Sequence, residues 1–137
     1  MNTFVLDTSV AVAWYLDEVF SPAARLWQDR MLSGKAQLIV PSLHFWEFAN
    51  ILRILVWRRE LDADLGREIL ELHLEAPLEE GEPDRKTVLD TALEYRTTAY
   101  DAVFISLCLS RDVPLITAEK TTTAWVVKLA DRIEAVR

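Results

Sequence analysis

Four acidic residues stand where a carboxylate has chemistry available to it. Asp7 directly follows the short apolar run Thr3–Leu6. Glu119 comes two residues after the run Pro114-Leu115-Ile116-Thr117. Asp101 precedes the apolar stretch Ala102–Leu109, and Glu47 interrupts the apolar segment Leu43–Leu52. Hard divalent cations choose oxygen ligands, and one or two carboxylates with water hold a Mg²⁺. A larger acidic cluster can hold two cations, which activate a water and stabilise the leaving oxygen of a phosphodiester. Without a cation such acids repel one another, so their pKa values should be raised.

Taken singly, three of the four have plain structural readings. Asp7 serves as a turn residue, Asp101 as an N-cap and Glu119 as a first-turn acid favoured by the helix dipole. Glu47 differs. The helix around it is apolar on almost every face, which predicts burial, and an unpaired buried carboxylate is costly. His44 and Asn50 lie three residues before and after it and project from the same face. They read as a polar stripe cut into a core helix, or alternatively as the solvent side of an ordinary amphipathic one. Arg53, Arg58 and Arg59 read as its solvated basic end, or as contacts to phosphate.

Residues suited to other chemistries are absent from the sequence or lack a pattern. The 3 glycines form no phosphate-binding loop, and no paired cysteines or histidines have zinc spacing. His44 and His73 are the only histidines, and no motif supports a Ser-His-Asp triad. His73 falls near a helix end and carries no signal. Cys108 reads as a small core residue. The five tryptophans, Trp14, Trp27, Trp46, Trp57 and Trp125, read as core or interface anchors.

The elements that must position the acids alternate between strand and helix. Thr3–Leu6 and Gln37–Val40 read as buried strands, Pro114–Thr117 as a third, and Ile133–Val136 as a short last one. A further short strand is expected within His73–Glu79. Helices are expected from Thr8 or Ser9 to Leu16, Ser21 to Leu32, Pro41-Ser42 to Arg59, and Asp62 to Leu72. Others are expected from Asp84 to Tyr95, Tyr100 to Ser110, and Glu119 to Ala130. Strands alternating with helices imply an α/β fold with a mainly parallel sheet. Ligands in such folds bind beyond the carboxyl ends of the strands, where Asp7 and Glu119 fall.

The length of 137 residues fits one domain, 1–137, and 51% hydrophobic with 27% charged residues is a globular composition. No targeting segment is expected, and Val10–Leu16 is too short to span a bilayer. A cytoplasmic location is the expectation. The net charge of −7 argues against a broad basic groove for nucleic acid. Setting aside the four acids still leaves a negative balance, so contacts confined to the site and its rim are expected.

Four segments together resemble the PIN-domain nucleases, and among them the VapC-type toxins of toxin–antitoxin pairs. They are Phe4-Val5-Leu6-Asp7-Thr8-Ser9, Trp46-Glu47-Phe48-Ala49-Asn50, Thr98-Ala99-Tyr100-Asp101-Ala102 and Pro114-Leu115-Ile116-Thr117-Ala118-Glu119. The resemblance covers nearly the whole chain. It implies a three-layer α/β/α fold with a mainly parallel central sheet of four to five short strands. It implies that Asp7, Glu47 and Asp101 bind metal, with Mg²⁺ or Mn²⁺ as cofactor. Thr8 or Ser9 would add a hydroxyl or an amide, Asn50 would orient Glu47 or a water, and Thr117 would stand behind the acids. Glu119 departs from the family pattern, which has Asp there, so it is expected to ligate metal directly or through water.

The activity so implied is endonucleolytic hydrolysis of RNA by metal-activated water, leaving a 5′-phosphate. The implied partners are RNA, a small antitoxin and a second copy of the chain, with no membrane. Two alternatives remain at this stage. One is a catalytically silent PIN-like binding or dimerisation module. The other is a metal-dependent hydrolase of small phosphate compounds, disfavoured because Ser9 stands where a second Asp would be needed.

Overall fold

The computed structural model describes residues 2–137. Five strands, β1 (Asn2–Leu6), β2 (Ala36–Val40), β3 (Glu79–Glu80), β4 (Leu115–Thr117) and β5 (Ile133–Ala135), form one sheet in the order β3-β2-β1-β4-β5. Every pairing is parallel, as an α/β chain with helical crossovers requires. The register sets Phe4 beside Leu38, Val5 beside Ile39 and Leu115, and Leu6 beside Ile116.

Alternation along the strands divides the core in two. Phe4, Leu6, Leu38, Val40 and Ile116 point to one face. Val5, Ile39 and Leu115 point to the other. The first face is covered by helices α1 (Thr8–Val12), α2 (Ser21–Leu32), α3 (Leu43–Trp57) and α4 (Ala63–Leu74), which contribute Val10, Ala24, Phe48 and Ile69. The second is covered by α5 (Arg85–Tyr95), α6 (Ala99–Arg111) and α7 (Ala124–Leu129), through Tyr95, Phe104, Ile105, Leu107 and Trp125. The outcome is the expected three-layer α/β/α sandwich, with Cys108 fully buried in the second layer.

Several boundaries differ from expectation. The helix after Asp7 ends at Val12 rather than Leu16. α4 continues through His73 to Leu74, so the extra strand is only Glu79–Glu80, paired to Ile39 and Val40. No helix begins at Glu119: α7 starts at Ala124, after Thr121-Thr122-Thr123, and a 3₁₀ turn follows at Ala130–Arg132. α3 is not apolar all round in its packing; it buries His44, Phe48 and Leu52, while Trp46 and Trp57 face solvent. No helix among the described residues is long and apolar enough to cross a membrane.

The strand order reverses at β1: the chain builds outward to β2 and β3, then returns to place β4 on the other side. A crevice opens beyond the carboxyl ends of β1 and β4, where the two following segments diverge.

Candidate active site

Asp7 and Thr117 occupy that crevice. Asp7 leaves the end of β1 as the residue before α1, in extended conformation, and its backbone amide donates to the Ile116 carbonyl at 2.9 Å. The Thr117 hydroxyl, at the end of β4, donates to Asp7 Oδ2 at 2.7 Å. The same hydroxyl accepts from the Glu119 amide at 3.0 Å. One side chain therefore ties the carboxylate of β1 to the loop that presents Glu119.

Glu47 arrives from α3 and Asp101 from the first turn of α6. Thr98 caps α6 by accepting from the Asp101 amide at 3.0 Å. Asp101 is thus at the positive end of a helix dipole. Asp7, Ser9, Glu47, Asn50, Asp101 and Glu119 line a single hollow of about 240 Å³. The structure brings all four sequence-selected acids to it, from four separate segments.

Each acid is held by a different threonine. Besides Thr117 on Asp7, Thr8 donates to Glu47 Oε1 at 3.0 Å, Thr97 to Asp101 Oδ2 at 2.7 Å and Thr123 to Glu119 Oε1 at 3.1 Å. Among the described residues, no three acidic, histidine or cysteine side chains converge closely enough, as they stand, to share one ion. The threonine bonds engage one oxygen of each carboxylate and, among the described residues, leave the other oxygen without a side-chain donor. Four hard oxygen donors around one hollow suit a divalent cation such as Mg²⁺ or Mn²⁺ by donor chemistry.

The electrostatics follow from burial and crowding. Asp7 is pushed up to about 6, first by loss of solvent and then by the charges of Asp101 and Glu119; the Thr117 hydrogen bond works in the opposite direction. Glu47 is raised for the same reason, burial first, with the Thr8 bond opposing and Asp7 and Asp101 adding. Removing the Thr117 donor should therefore raise Asp7 further and loosen the Glu119 loop. Thr117→Val keeps the shape of the side chain. An outer partner of a metal-binding group is worth roughly 10- to 100-fold in affinity or activity. A loss of that size is expected in metal-dependent cleavage rates, and wild-type rates would show that the tie does not matter.

The other supporting residues take different places. Ser9, two residues after Asp7, lines the hollow. Asn50 also lines it, but its recorded bond is to Arg53, whose Nε donates to Asn50 Oδ1 at 2.9 Å. Arg53 in turn lies over the Trp57 ring at 4.2 Å. It is Thr8 that holds Glu47. Thr8 is itself 2% exposed, and its hydroxyl also meets His44 Nδ1 at 3.0 Å. His73, without signal in the sequence, is fully buried and meets His44 at 2.8 Å.

Comparison with known proteins bears on the family and the fold. The PIN domain family matches residues 4–122. Among solved structures, PAE2754 from Pyrobaculum aerophilum is similar with a TM-score of 0.74 at 20% identity, covering 96% of this chain and 83% of that one. VapBC2 from Rickettsia felis, solved bound to a DNA fragment from its promoter, is similar with a TM-score of 0.66 at 12% identity. It covers 98% of this chain and 99% of that one. At such identities these likenesses speak to the fold. No curated protein matched the sequence.

Proposed function

Since the chain belongs to the PIN domain family, whose members are generally nucleases, we propose that it is a metal-dependent endoribonuclease and the toxin component of a toxin–antitoxin pair. The observation that carries the reading is the gathering of Asp7, Glu47, Asp101 and Glu119 from four segments around one hollow at the carboxyl edge of the sheet. Acids that repel one another, two of them at a cost in burial, are explained by a cation that they hold. Asp7, Glu47, Asp101 and Glu119 would hold Mg²⁺ or Mn²⁺, Glu119 directly or through water. The bound cation would supply Lewis-acid activation of water and charge stabilisation at the phosphodiester.

The chain's own polar groups complete the site. Thr8, Thr97, Thr117 and Thr123 aim the carboxylates. Ser9 and Asn50 line the hollow and can donate to phosphate oxygens, and Arg53 beside Asn50 brings a cation to the rim. The net charge of −7 suits a basic antitoxin segment better than a broad nucleic-acid groove. The exposed Trp57 and the apolar hollow beside it, between α3 and α4, offer such a partner a surface to cover.

The test is cleavage of total RNA by purified, antitoxin-free protein with Mn²⁺, mapping new 5′ ends. Discrete ends that vanish with chelator are expected. Absence of any new end would turn the reading toward a binding module.

A further inference from the structure

A line of buried polar side chains runs away from the acids through the first helical layer. The Thr8 hydroxyl donates to Glu47 Oε1 at 3.0 Å and meets His44 Nδ1 at 3.0 Å. His44 Nε2 meets His73 Nε2 at 2.8 Å, and His73 Nδ1 meets the Tyr15 hydroxyl at 2.8 Å. Both imidazoles are 0% exposed. They are enclosed by aromatic rings, His73 stacking on Phe48 at 4.1 Å and meeting Trp14 edge-on at 5.8 Å. Two imidazoles in a pocket of this kind stay neutral: His44 is held down to about 3 and His73 to about 4, each chiefly by burial.

Neutrality leaves each ring one N–H and one acceptor nitrogen, and a single assignment then satisfies every contact. The one proton of Thr8 goes to Glu47, so Thr8 must accept from His44 Nδ1–H. His44 Nε2 is then an acceptor, and His73 Nε2–H must donate to it. His73 Nδ1 is then an acceptor, and Tyr15, whose phenol is pushed up to about 12 and stays protonated, donates to it. Every hydrogen bond points toward the acidic site. If the chain ran the other way, Thr8 would donate to His44 and Glu47 would lose its donor.

We infer that Tyr15, His73 and His44 form a directional hydrogen-bond chain that fixes which way the Thr8 hydroxyl points, and so act as positioning residues for Glu47. Tyr15 is the donor at the far end. The sense is set at the Glu47 end, where Thr8 gives its one proton to the carboxylate and accepts from His44; His73, donating to His44 Nε2, holds His44 in that tautomer, and Tyr15 completes His73. The effect on catalysis rests on the nuclease reading; the direction of the chain does not.

The chain has only two histidines, so both imidazoles can be followed by ¹⁵N NMR without crowding. In the wild-type protein at neutral pH, His44 is expected as the Nδ1–H tautomer and His73 as the Nε2–H tautomer. In Thr8→Val, which removes the acceptor for His44 Nδ1–H, both signals should move toward a mixture of tautomers. RNA cleavage should fall about tenfold, the lower end of what outer partners of metal-binding groups are worth. Tyr15→Phe, which leaves the Glu47 end intact, should keep both tautomers and should cost no further activity once Thr8→Val has cut the chain, whereas a loss of packing alone would still add. Either wild-type imidazole in the opposite tautomer, or unchanged tautomers in Thr8→Val, would overturn the inference. A wild-type protein that cleaves no RNA would remove the nuclease reading and leave the tautomer spectra to decide the chain.

Discussion

Asp7→Asn is expected to abolish cleavage and at the same time to make the metal-free protein more stable. The two effects have one cause. Asp7 is half-buried at the crevice between β1 and β4, sharing its hollow with Asp101 and Glu119, and its pKa is pushed up to about 6 from an ordinary 3.8. At neutral pH the ionised form is held at a cost that the unfolded chain does not bear. One pKa unit corresponds to about 1.4 kcal/mol, so removing the charge should return about 1–3 kcal/mol. Asn retains an oxygen for the Thr117 hydroxyl, so the tie between the strand ends survives. What it loses is the charge that would hold a cation. Cation stabilisation of a phosphoryl transition state is worth several kcal/mol, or on the order of a hundred- to a thousandfold or more in rate. Asp101→Asn should be as inactive but should gain less stability, since Asp101 is exposed and sits at a helix N-terminus that favours its charge. Urea midpoints and cleavage rates on the same preparations test both halves. Retained cleavage in both variants would sink the site assignment, and an Asp7→Asn protein less stable than wild type would show that Asp7 is not strained.

Asp7 and Asp101 were legible because each stands at an element boundary that local sequence marks, and Glu47 because it breaks the apolar run of α3. Asp7 ends an apolar run, and Asp101 follows Thr98, a capping residue three positions earlier. Glu119 was legible as a site residue but not in its local structure. The expected helix does not start there, because three consecutive threonines follow Lys120. Their hydroxyls compete for backbone hydrogen bonds, and their branched side chains lose rotamer freedom in a helix. Thr123 becomes the residue before α7 and turns its hydroxyl to Glu119 instead. β3 was misplaced for a different reason. Glu79-Glu80 has no strand propensity to read; it is extended because it pairs with the exposed edge of β2.

His73 shows what a sequence cannot carry. Its partners are 29 residues away at His44 and 58 away at Tyr15. No spacing links them, and only the packing of α1 and α4 against α3 brings them together. His44 was read as part of a polar stripe with Glu47 and Asn50, but the three fan out from buried to exposed. His44 turns inward to the chain of hydrogen bonds, Glu47 faces the hollow, and Asn50 reaches the rim and Arg53. The apolar character of that helix also misled. Trp46 and Trp57 give it hydrophobic faces that the fold leaves in solvent, at 74% and 75% exposure, so hydrophobicity all round did not mean burial all round.

Acidification should destabilise the metal-free protein between about pH 6 and pH 4, and the buried histidines should decide that outcome against Asp7. The signs are opposite. His44 and His73 have folded pKa values of about 3 and 4, below the ordinary 6.5. Their stabilising contribution is present above pH 6.5 and is lost as pH falls toward those values, because the unfolded chain binds protons that the folded one refuses. Each histidine is worth on the order of 3 kcal/mol over that range. Asp7, raised to about 6 from 3.8, works the other way. It takes a proton in the folded state first, so its contribution is fully present below about pH 4 and is lost as pH rises through 6, by up to roughly 3 kcal/mol. Two histidines outweigh Asp7 together with Glu47, which is raised in the same sense, so the net slope is a loss of stability in acid. Urea midpoints at pH 7.5 and pH 4.5 should fall for wild type and fall more steeply for Asp7→Asn, which lacks the compensating gain. The variant should lead wild type at pH 7.5 and draw nearly level at pH 4.5. A cation should compete with the Asp7 proton, so apparent Mn²⁺ affinity should drop about tenfold per pH unit below 6 and flatten above it. Midpoints that do not fall in acid would mean that the two imidazoles are not held neutral in the fold, and the single direction of the hydrogen-bond chain through them would lose its basis.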